Sequence, residues 1–308
     1  MEIEREVERR VRRRSLGEPL QYILGSTDFG PLTLECRAPI LIPRPETGDV
    51  FQRLASLVRA GLGRLSRRRK TDGQALEKEQ GEARLDVKVL DLYTGSGAIA
   101  LLIAHELRSS PRHAGRPAEW DREHELNFRA LGVDINPLAI ELALVNREKT
   151  GLTREVDFVQ SDALSLTDLD LLDGRPHLVV ANPPYIPMEE YERLPGSVKE
   201  WEDVDALLGD GERGQEVGDR VRADGLAHYR ALARNLGGLL GVDPEVTSSG
   251  LDDDWDDAGL PRVAVEIGDG QAGRVRRIME LESRGVIGRT ECWVDMYGKE
   301  RMVVGWRR

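Results

Sequence analysis

The residues whose types and order could do chemistry are Asn182-Pro183-Pro184-Tyr185, directly after the apolar run Leu178-Val179-Val180-Ala181. As a turn the segment is ordinary, since Asn and Pro commonly follow strands. Its chemistry is more specific. An amide or aromatic amino nitrogen is a poor nucleophile because its lone pair is delocalised. If the Asn182 side-chain oxygen and the Pro183 carbonyl each accept one N–H, the lone pair gains pyramidal character and can be aimed at an electrophilic methyl group. Proline fixes the backbone that carries this carbonyl, and Tyr185 offers a flat ring to a planar acceptor. Such a loop works through orientation and fixed dipoles in a dry pocket, with no strong base needed before transfer. The five histidines are scattered, without HExxH or a Cys/His cluster, so the sequence supports no bound metal.

A donor for that methyl needs its own site. Val89-Leu90-Asp91-Leu92-Tyr93-Thr94-Gly95-Ser96-Gly97 joins an apolar strand to a helix, and its glycines let backbone pass close to a ligand at a helix N-terminus. Gly95, Gly97 and Ala100 alone also fit a dinucleotide turn. Two features favour a cationic methyl donor: Asp91 closes the strand where it can face a positive charge, and nothing beyond the short Gly-Ser-Gly suits a pyrophosphate. Asp134, in Gly132-Val133-Asp134-Ile135, closes the next strand and can accept both hydroxyls of a ribose. Asp162, in Gln160-Ser161-Asp162-Ala163, closes the one after and can accept an adenine amino group. One aspartate at a strand end is ordinary loop chemistry. Three at the carboxyl ends of successive strands mark the edge where open α/β sheets bind ligands.

The elements that must position these residues alternate. Strands are expected at Val87–Asp91, Phe128–Ile135, Val156–Gln160, Leu178–Ala181 and Val263–Ile267, with helices at Ala98–Leu107, Pro137–Lys149 and Asp224–Asn235, which predicts a mostly parallel sheet covered on both faces. Glu291–Met296 and Arg301–Trp306 flank a turn and read as a closing antiparallel hairpin. Ahead of the sheet, Ile3, Val7 and Val11 repeat every fourth residue in a short helix. Thr33–Cys36 and Ile40–Ile42 read as a β-hairpin ending at Pro43-Arg44-Pro45-Glu46, and a helix follows over Asp49–Leu62. Arg64–Glu82 and Arg108–Glu125 are polar and expected to be solvated loops, as is the acidic stretch Asp252–Asp257.

With 308 residues, 32% of them charged and a net charge of −11, the chain is an ordinary globular protein. The acidic total does not suit a protein that grips duplex nucleic acid through its phosphates. Cys36 and Cys292 have no CxxC spacing and are expected as unpaired thiols. No apolar run is long enough to span a bilayer.

Taken together, the motifs resemble those of the protein-(glutamine-N5) methyltransferases that modify the Gly-Gly-Gln loop of peptide-chain release factors. The likeness runs from Pro19 to Arg308. It rests on Pro19-Leu20-Gln21-Tyr22-Ile23-Leu24-Gly25, Leu41-Ile42-Pro43-Arg44-Pro45-Glu46-Thr47, the Asp91–Gly97 turn, Asn182–Tyr185, Glu266-Ile267-Gly268 with Gln271, and Asp295 with Gly298, Lys299 and Arg301. The Ile-Pro-Arg-Pro-Glu-Thr segment discriminates, because nucleic-acid methyltransferases share the Asn-Pro-Pro-Tyr loop without it. The resemblance implies a class I, Rossmann-like α/β fold with a seven-stranded sheet ending in an antiparallel hairpin. It divides the chain into a short N-terminal helix (1–18), a β-hairpin linker (19–48) and a methyltransferase domain (49–308).

The cofactor implied is S-adenosyl-L-methionine, held by Asp91, Tyr93, Thr94, Gly95, Gly97, Asp134, Ile135, Asp162, Ala163 and Asn182. The catalytic loop is Asn182, Pro183, Pro184 and Tyr185, with Arg44 and Glu46 on the substrate side. The partner implied is a release factor, approached by a monomer that touches neither membrane nor nucleic acid directly. Apparent insertions at Arg64–Glu82, Arg108–Glu125, Gly211–Arg222 and Gly241–Pro261 resemble eukaryotic, mitochondrial members; otherwise a cytoplasmic location is expected. The sequence departs from the family at Tyr93, where a small residue is usual, at Gly48, where an acid is common, and before Pro19, where one helix replaces a larger helical domain. Two other readings are compatible with the same loop: methylation of an adenine or guanine amino group in nucleic acid, and a cofactor-binding module without turnover.

Overall fold

The structure is a computed structural model describing residues 2–71, 85–108, 126–166, 169–210, 215–217, 220–222, 224–242 and 251–307. The chain begins with helices α1 (Glu2–Ser15) and α2 (Leu20–Leu24), then strands β1 (Ser26–Phe29) and β2 (Leu32–Glu35), then the long helix α3 (Pro45–Thr71). The alternating part is β3 (Leu85–Leu92), α4 (Ala98–Arg108), β4 (Leu126–Asp134), α5 (Pro137–Thr150), β5 (Val156–Gln160) and β6 (Leu178–Ala181). Short helices α6 (Met188–Tyr191) and α7 (Gly196–Lys199) and a two-stranded ribbon, β7 (Gln215–Val217) with β8 (Arg220–Arg222), lie between β6 and α8 (Ala227–Leu240). After these come α9 (Leu251–Asp257), β9 (Val263–Glu266), α10 (Ala272–Glu282), β10 (Arg289–Val294) and β11 (Glu300–Trp306).

Seven strands make one sheet in the order β10-β11-β9-β6-β3-β4-β5. The five strands from β9 to β5 pair in parallel, and β11 runs antiparallel to both β9 and β10. Every residue of β6 and β9 is buried, as expected of central strands with helices on both faces. One apolar core gathers α3, α4 and the β1–β2 hairpin against the sheet. The other packs α8 and α10 against the opposite face, through Tyr229, Leu232, Leu236, Val275 and Met279 among others. The sequence runs outward from β3 in one direction through β4 and β5, and in the other through β6 and β9. The strand order therefore reverses between β3 and β6, and a crevice opens at their carboxyl ends.

Several elements differ from their sequence reading. The hairpin is Ser26–Phe29 with Leu32–Glu35, turning at Gly30 (φ +56°), whereas Ile40–Ile42 is irregular. Pro39 and Pro43 on either side lack the N–H a strand needs, and Ile40 is buried against Ala139 and Leu142 of α5. Helix α3 starts at Pro45 and continues to Thr71, so the basic run after Arg64 extends a helix before the chain leaves the described residues. The acidic stretch lies in α9 because Trp255 anchors it: its indole donates to the Pro261 carbonyl (3.0 Å) and stacks on His177 (centroids 5.1 Å apart). Helix α10 was not anticipated, although Val275, Ile278 and Met279 have helical spacing and are buried. Residues 109–125, the centre of another predicted insertion, lie outside the described residues. No described helix is long and apolar enough to cross a membrane.

Beneath the crevice the packing leaves no room for a methyl at Gly132. A Cβ there would lie 2.4 Å from Phe158 Cδ1 and 2.6 Å from Thr94 Oγ1. Gly132→Ala is expected to lower stability by about 1–3 kcal/mol through overpacking, with reduced cofactor affinity because Thr94 must move. Chemical denaturation and calorimetry on the variant check both.

Candidate active site

Strand β3 delivers the first part of the site. Asp91, its penultimate residue, is fully buried; its Oδ2 accepts from Thr94 Oγ1 (2.6 Å) and from the Ala100 amide (3.1 Å). It thus ties the glycine turn to the first turn of α4. Burial raises its pKa to about 7, against the opposing effect of those two bonds. This differs from the expectation that Asp91 faces the cofactor: it lies under the turn and does not line the crevice, because the strand's inward register carries its side chain into the core. Thr94 and Gly97 likewise sit within the turn, Gly97 at φ +82° with Phe158 too close to admit a Cβ. Tyr93 and Gly95 do reach the crevice.

The crevice is a cleft of about 550 Å³ lined by Tyr93, Gly95, Asp134, Ile135, Asp162, Ala163, Asn182, Pro184 and His228, with further residues from the loops before α3 and α8. Asp134 is half-buried at the end of β4. Its Oδ2 accepts from the Gly95 amide (2.8 Å) and its Oδ1 from the Asn136 amide (2.9 Å). Burial raises its pKa, while these amides pull it back. Asp162 is exposed at the end of β5, its carboxylate accepting from the Leu164 amide and the Ser165 hydroxyl. Asn136 caps α5 through the Leu138 amide and donates to Asp203 (2.8 Å), which brings a third carboxylate to the cleft wall. The Asn136-Pro137 cap has a local signature. Asp203, 67 residues further on, has none.

Strand β6, paired in parallel with β3, delivers the neighbouring loop. Asn182 is half-buried, lines the cleft, and its carboxamide has no hydrogen-bond partner among the described residues. Pro184 also lines the cleft, whereas Pro183 is buried. Tyr185 points away from the cleft toward Glu266, its hydroxyl 3.5 Å from Oε1, and its ring packs against the α8–α10 core. The loop is held from below. The Gln271 carboxamide donates to the Tyr185 carbonyl (2.9 Å) and accepts from the Gly268 amide (3.0 Å). Gly225 sits so close that a Cβ there would be 2.3 Å from the same carbonyl. Sequence reading placed Gln271 among the family motifs without a role; the clamp joins residues 86 apart and leaves no local pattern.

Arg44 and Glu46 do not line the cleft. Arg44 donates to both oxygens of the buried Glu202 (2.8 and 2.7 Å), linking the segment before α3 to the loop after α7. Glu46, in the first turn of α3, lies on the Tyr185–Glu266 side of the loop, where its charge adds to that of Glu266 in raising the Tyr185 pKa; burial is the largest cause. Glu266 is 1% exposed, with Oε2 unpartnered, and burial lifts its pKa to about 7.

These residues suit S-adenosylmethionine. The cleft is large enough for a ligand of that size. Asp134 keeps lone pairs for ribose hydroxyls beyond the two amides it holds. Ile135, Ala139, Ala163 and Leu164 provide apolar wall for a flat base, with Asp162 beside it. Among the described residues no group of three His, Cys, Asp or Glu side chains is placed to hold a metal.

A parallel sheet whose order reverses between β3 and β6, closed by an antiparallel hairpin, with acids along its carboxyl edge and an Asn-Pro-Pro-Tyr loop at the switch point, defines a class I S-adenosylmethionine-dependent methyltransferase. Residues 80–192 match the family model described as RMKL-like, methyltransferase domain. The release factor glutamine methyltransferase of Bacillus cereus is 31% identical over 93% of this chain and 76% of its own length. That of Rhodospirillum rubrum is 31% identical over 97% of the chain and 67% of its own length. The Fusobacterium nucleatum protein is 28% identical over 93% of the chain, which spans only 59% of that relative. The chain belongs to the release factor glutamine methyltransferase family.

Two variants probe the support under the loop. Gln271→Glu keeps the size but cannot donate to the Tyr185 carbonyl; kcat is expected to fall about tenfold, equivalent to about 1.4 kcal/mol, with cofactor affinity little changed. Steady-state kinetics with cofactor titration checks this. Glu266 has a folded-state pKa raised from 4.5 to about 7, so its contribution to stability is complete below pH 4.5 and is lost as pH rises through 7. Glu266→Gln should therefore gain about 1–3 kcal/mol over the parent at pH 8 and much less at pH 5, as measured by urea unfolding at the two values.

Proposed function

We propose that the chain transfers a methyl group from S-adenosylmethionine to the side-chain N5 of the glutamine in the Gly-Gly-Gln loop of a peptide-chain release factor. The observation that carries the reading is the unpartnered Asn182 carboxamide at the cleft wall, on a loop pinned from below by Gln271 and Gly225. When bound, the cofactor supplies an electrophilic methyl on a sulfonium. Asn182 Oδ1 and the Pro183 carbonyl accept the two N–H bonds of the glutamine amide and turn its nitrogen lone pair toward the cleft. The buried prolines keep both acceptors fixed, so little reorganisation accompanies transfer. The proton leaves after transfer, and no cleft residue need act as a strong base. The family membership, and the names of the relatives, support glutamine over a nucleobase as the acceptor. The acidic cleft also favours it, since among the described residues four aspartates and no Lys or Arg line the wall.

Incubating the chain with the cofactor and a Gly-Gly-Gln release factor, followed by mass spectrometry, should show a glutamine heavier by one methylene. Transfer to RNA or DNA with none to the release factor would sink the proposal. Asn182→Ala should slow the chemical step by about 10²-fold or more, with a far smaller change in cofactor affinity; equal loss of both would place Asn182 on the cofactor side alone.

A further inference from the structure

Tyr93 is one of three non-glycine residues with positive φ among the described residues, at +60°. L-residues avoid this conformation, and one held there beside a ligand site calls for a function of its side chain. Its hydroxyl lies 3.1 Å from His228 Nδ1, and the two rings meet edge to face with centroids 5.2 Å apart. Tyr93 comes from the end of β3 and His228 from the first turn of α8. Both line the cleft, and Tyr93 follows Leu92, the register partner of the Ala181 that precedes Asn182.

The charges around this pair are one-sided. Asp134, Asp162, Asp203 and Asp205 line the same cleft, and Asp210 lies behind His228. Among the described residues no Lys or Arg lines it, and His228 is the one lining side chain among them that can become a cation. Burial lowers the His228 pKa below its ordinary 6.5, partly opposed by Asp210 and Asp162, which keeps the ring neutral at physiological pH. A neutral ring accepts from, or donates to, the Tyr93 hydroxyl without adding charge. The methyl donor and its by-product differ by one positive charge, on the sulfonium, which must sit near Asn182 for the transfer proposed above. The inference rests on that placement.

We propose that Tyr93 and His228 form a specificity-determining wall that reads this charge: with His228 neutral the cleft favours the cationic donor, and with His228 protonated that preference over the neutral by-product is reduced. Tyr93 presents an aromatic ring to the same ligand, which also favours a cation, and its hydroxyl fixes the imidazole in place.

The test is calorimetric binding of S-adenosylmethionine and S-adenosylhomocysteine to the intact chain from pH 8 down through the midpoint that an NMR titration fixes for the His228 ring. In the parent the ratio of donor to by-product affinity should fall by about five- to tenfold across the titration of His228, as expected for two charges several ångströms apart at a partly buried site. In His228→Gln the ratio should change much less, the remainder reporting Asp134, Asp162, Asp203 and Asp205, which both proteins share. An NMR titration of the His228 ring gives the reciprocal readout without any variant, because linkage requires the donor to depress its pKa more than the by-product does. A flat ratio in the parent, an equal fall in His228→Gln, or equal pKa depression by the two ligands would each overturn the proposal. Release-factor labelling decides the acceptor separately: its failure alongside a His228-dependent ratio would remove the glutamine reading and leave the charge-reading wall standing.

Discussion

The carbonyl of Tyr185 ties together three parts of the chain that are far apart in sequence. Gln271, at the start of α10, donates to it; Gly225, just before α8, lies against it; and the reactive loop that carries it leaves β6. The amide of Ile186, one residue on, is bound by Leu207, and the Gly209 amide donates back to Ile186. A short loop with two prolines has few backbone donors of its own, so its position depends on such contacts from neighbours. Movement of this anchor would shift Asn182 relative to the opposite wall, and misplacement of about an ångström is enough to cost a large factor in rate.

The aspartates of the carboxyl edge divide between cleft wall and scaffold. Asp134 and Asp162 each spend part of their acceptor capacity on local backbone or hydroxyl groups while remaining on the cleft wall. Asp91 is committed to the turn, with one oxygen left unpartnered in the core. A buried carboxyl of this kind is costly when charged, which raises its pKa, yet it holds Thr94 and the Ala100 amide on either side of the glycine turn. The same economy holds at Glu266, buried behind Tyr185 and shared between the electrostatics of Arg301 and Glu46.

The parallel core was legible in the sequence because buried strands and amphipathic helices have periods that a chain cannot hide. Val156–Gln160 and Leu178–Ala181 fall where their apolar runs put them. The edge to which the acids and the reactive loop belong was legible too, since each follows a strand. What the sequence did not reveal depended on distant partners. Nothing near Arg44 points to Glu202, and nothing near Asp91 says whether its carboxylate turns inward or outward. Helix α9 looked like a loop because its aspartates hide the single buried tryptophan that holds it. Ile40–Ile42 looked like a strand because β-branched residues also fill loops that pack on a core.

Tyr93 was visible in the sequence as a departure at a position where a small residue is usual. A side chain there costs backbone strain and takes space beside the glycine turn. The His228 contact supplies a compensating hydrogen bond and ring packing from α8, whose core layer Tyr93 also packs against. Through this contact the end of β3 and the first turn of α8 meet at the cleft wall. A bulky residue tolerated in that place by accident would be expected to turn into solvent; this one turns inward and is paired. The Tyr93 side chain is thus held in place by a second residue of the cleft wall.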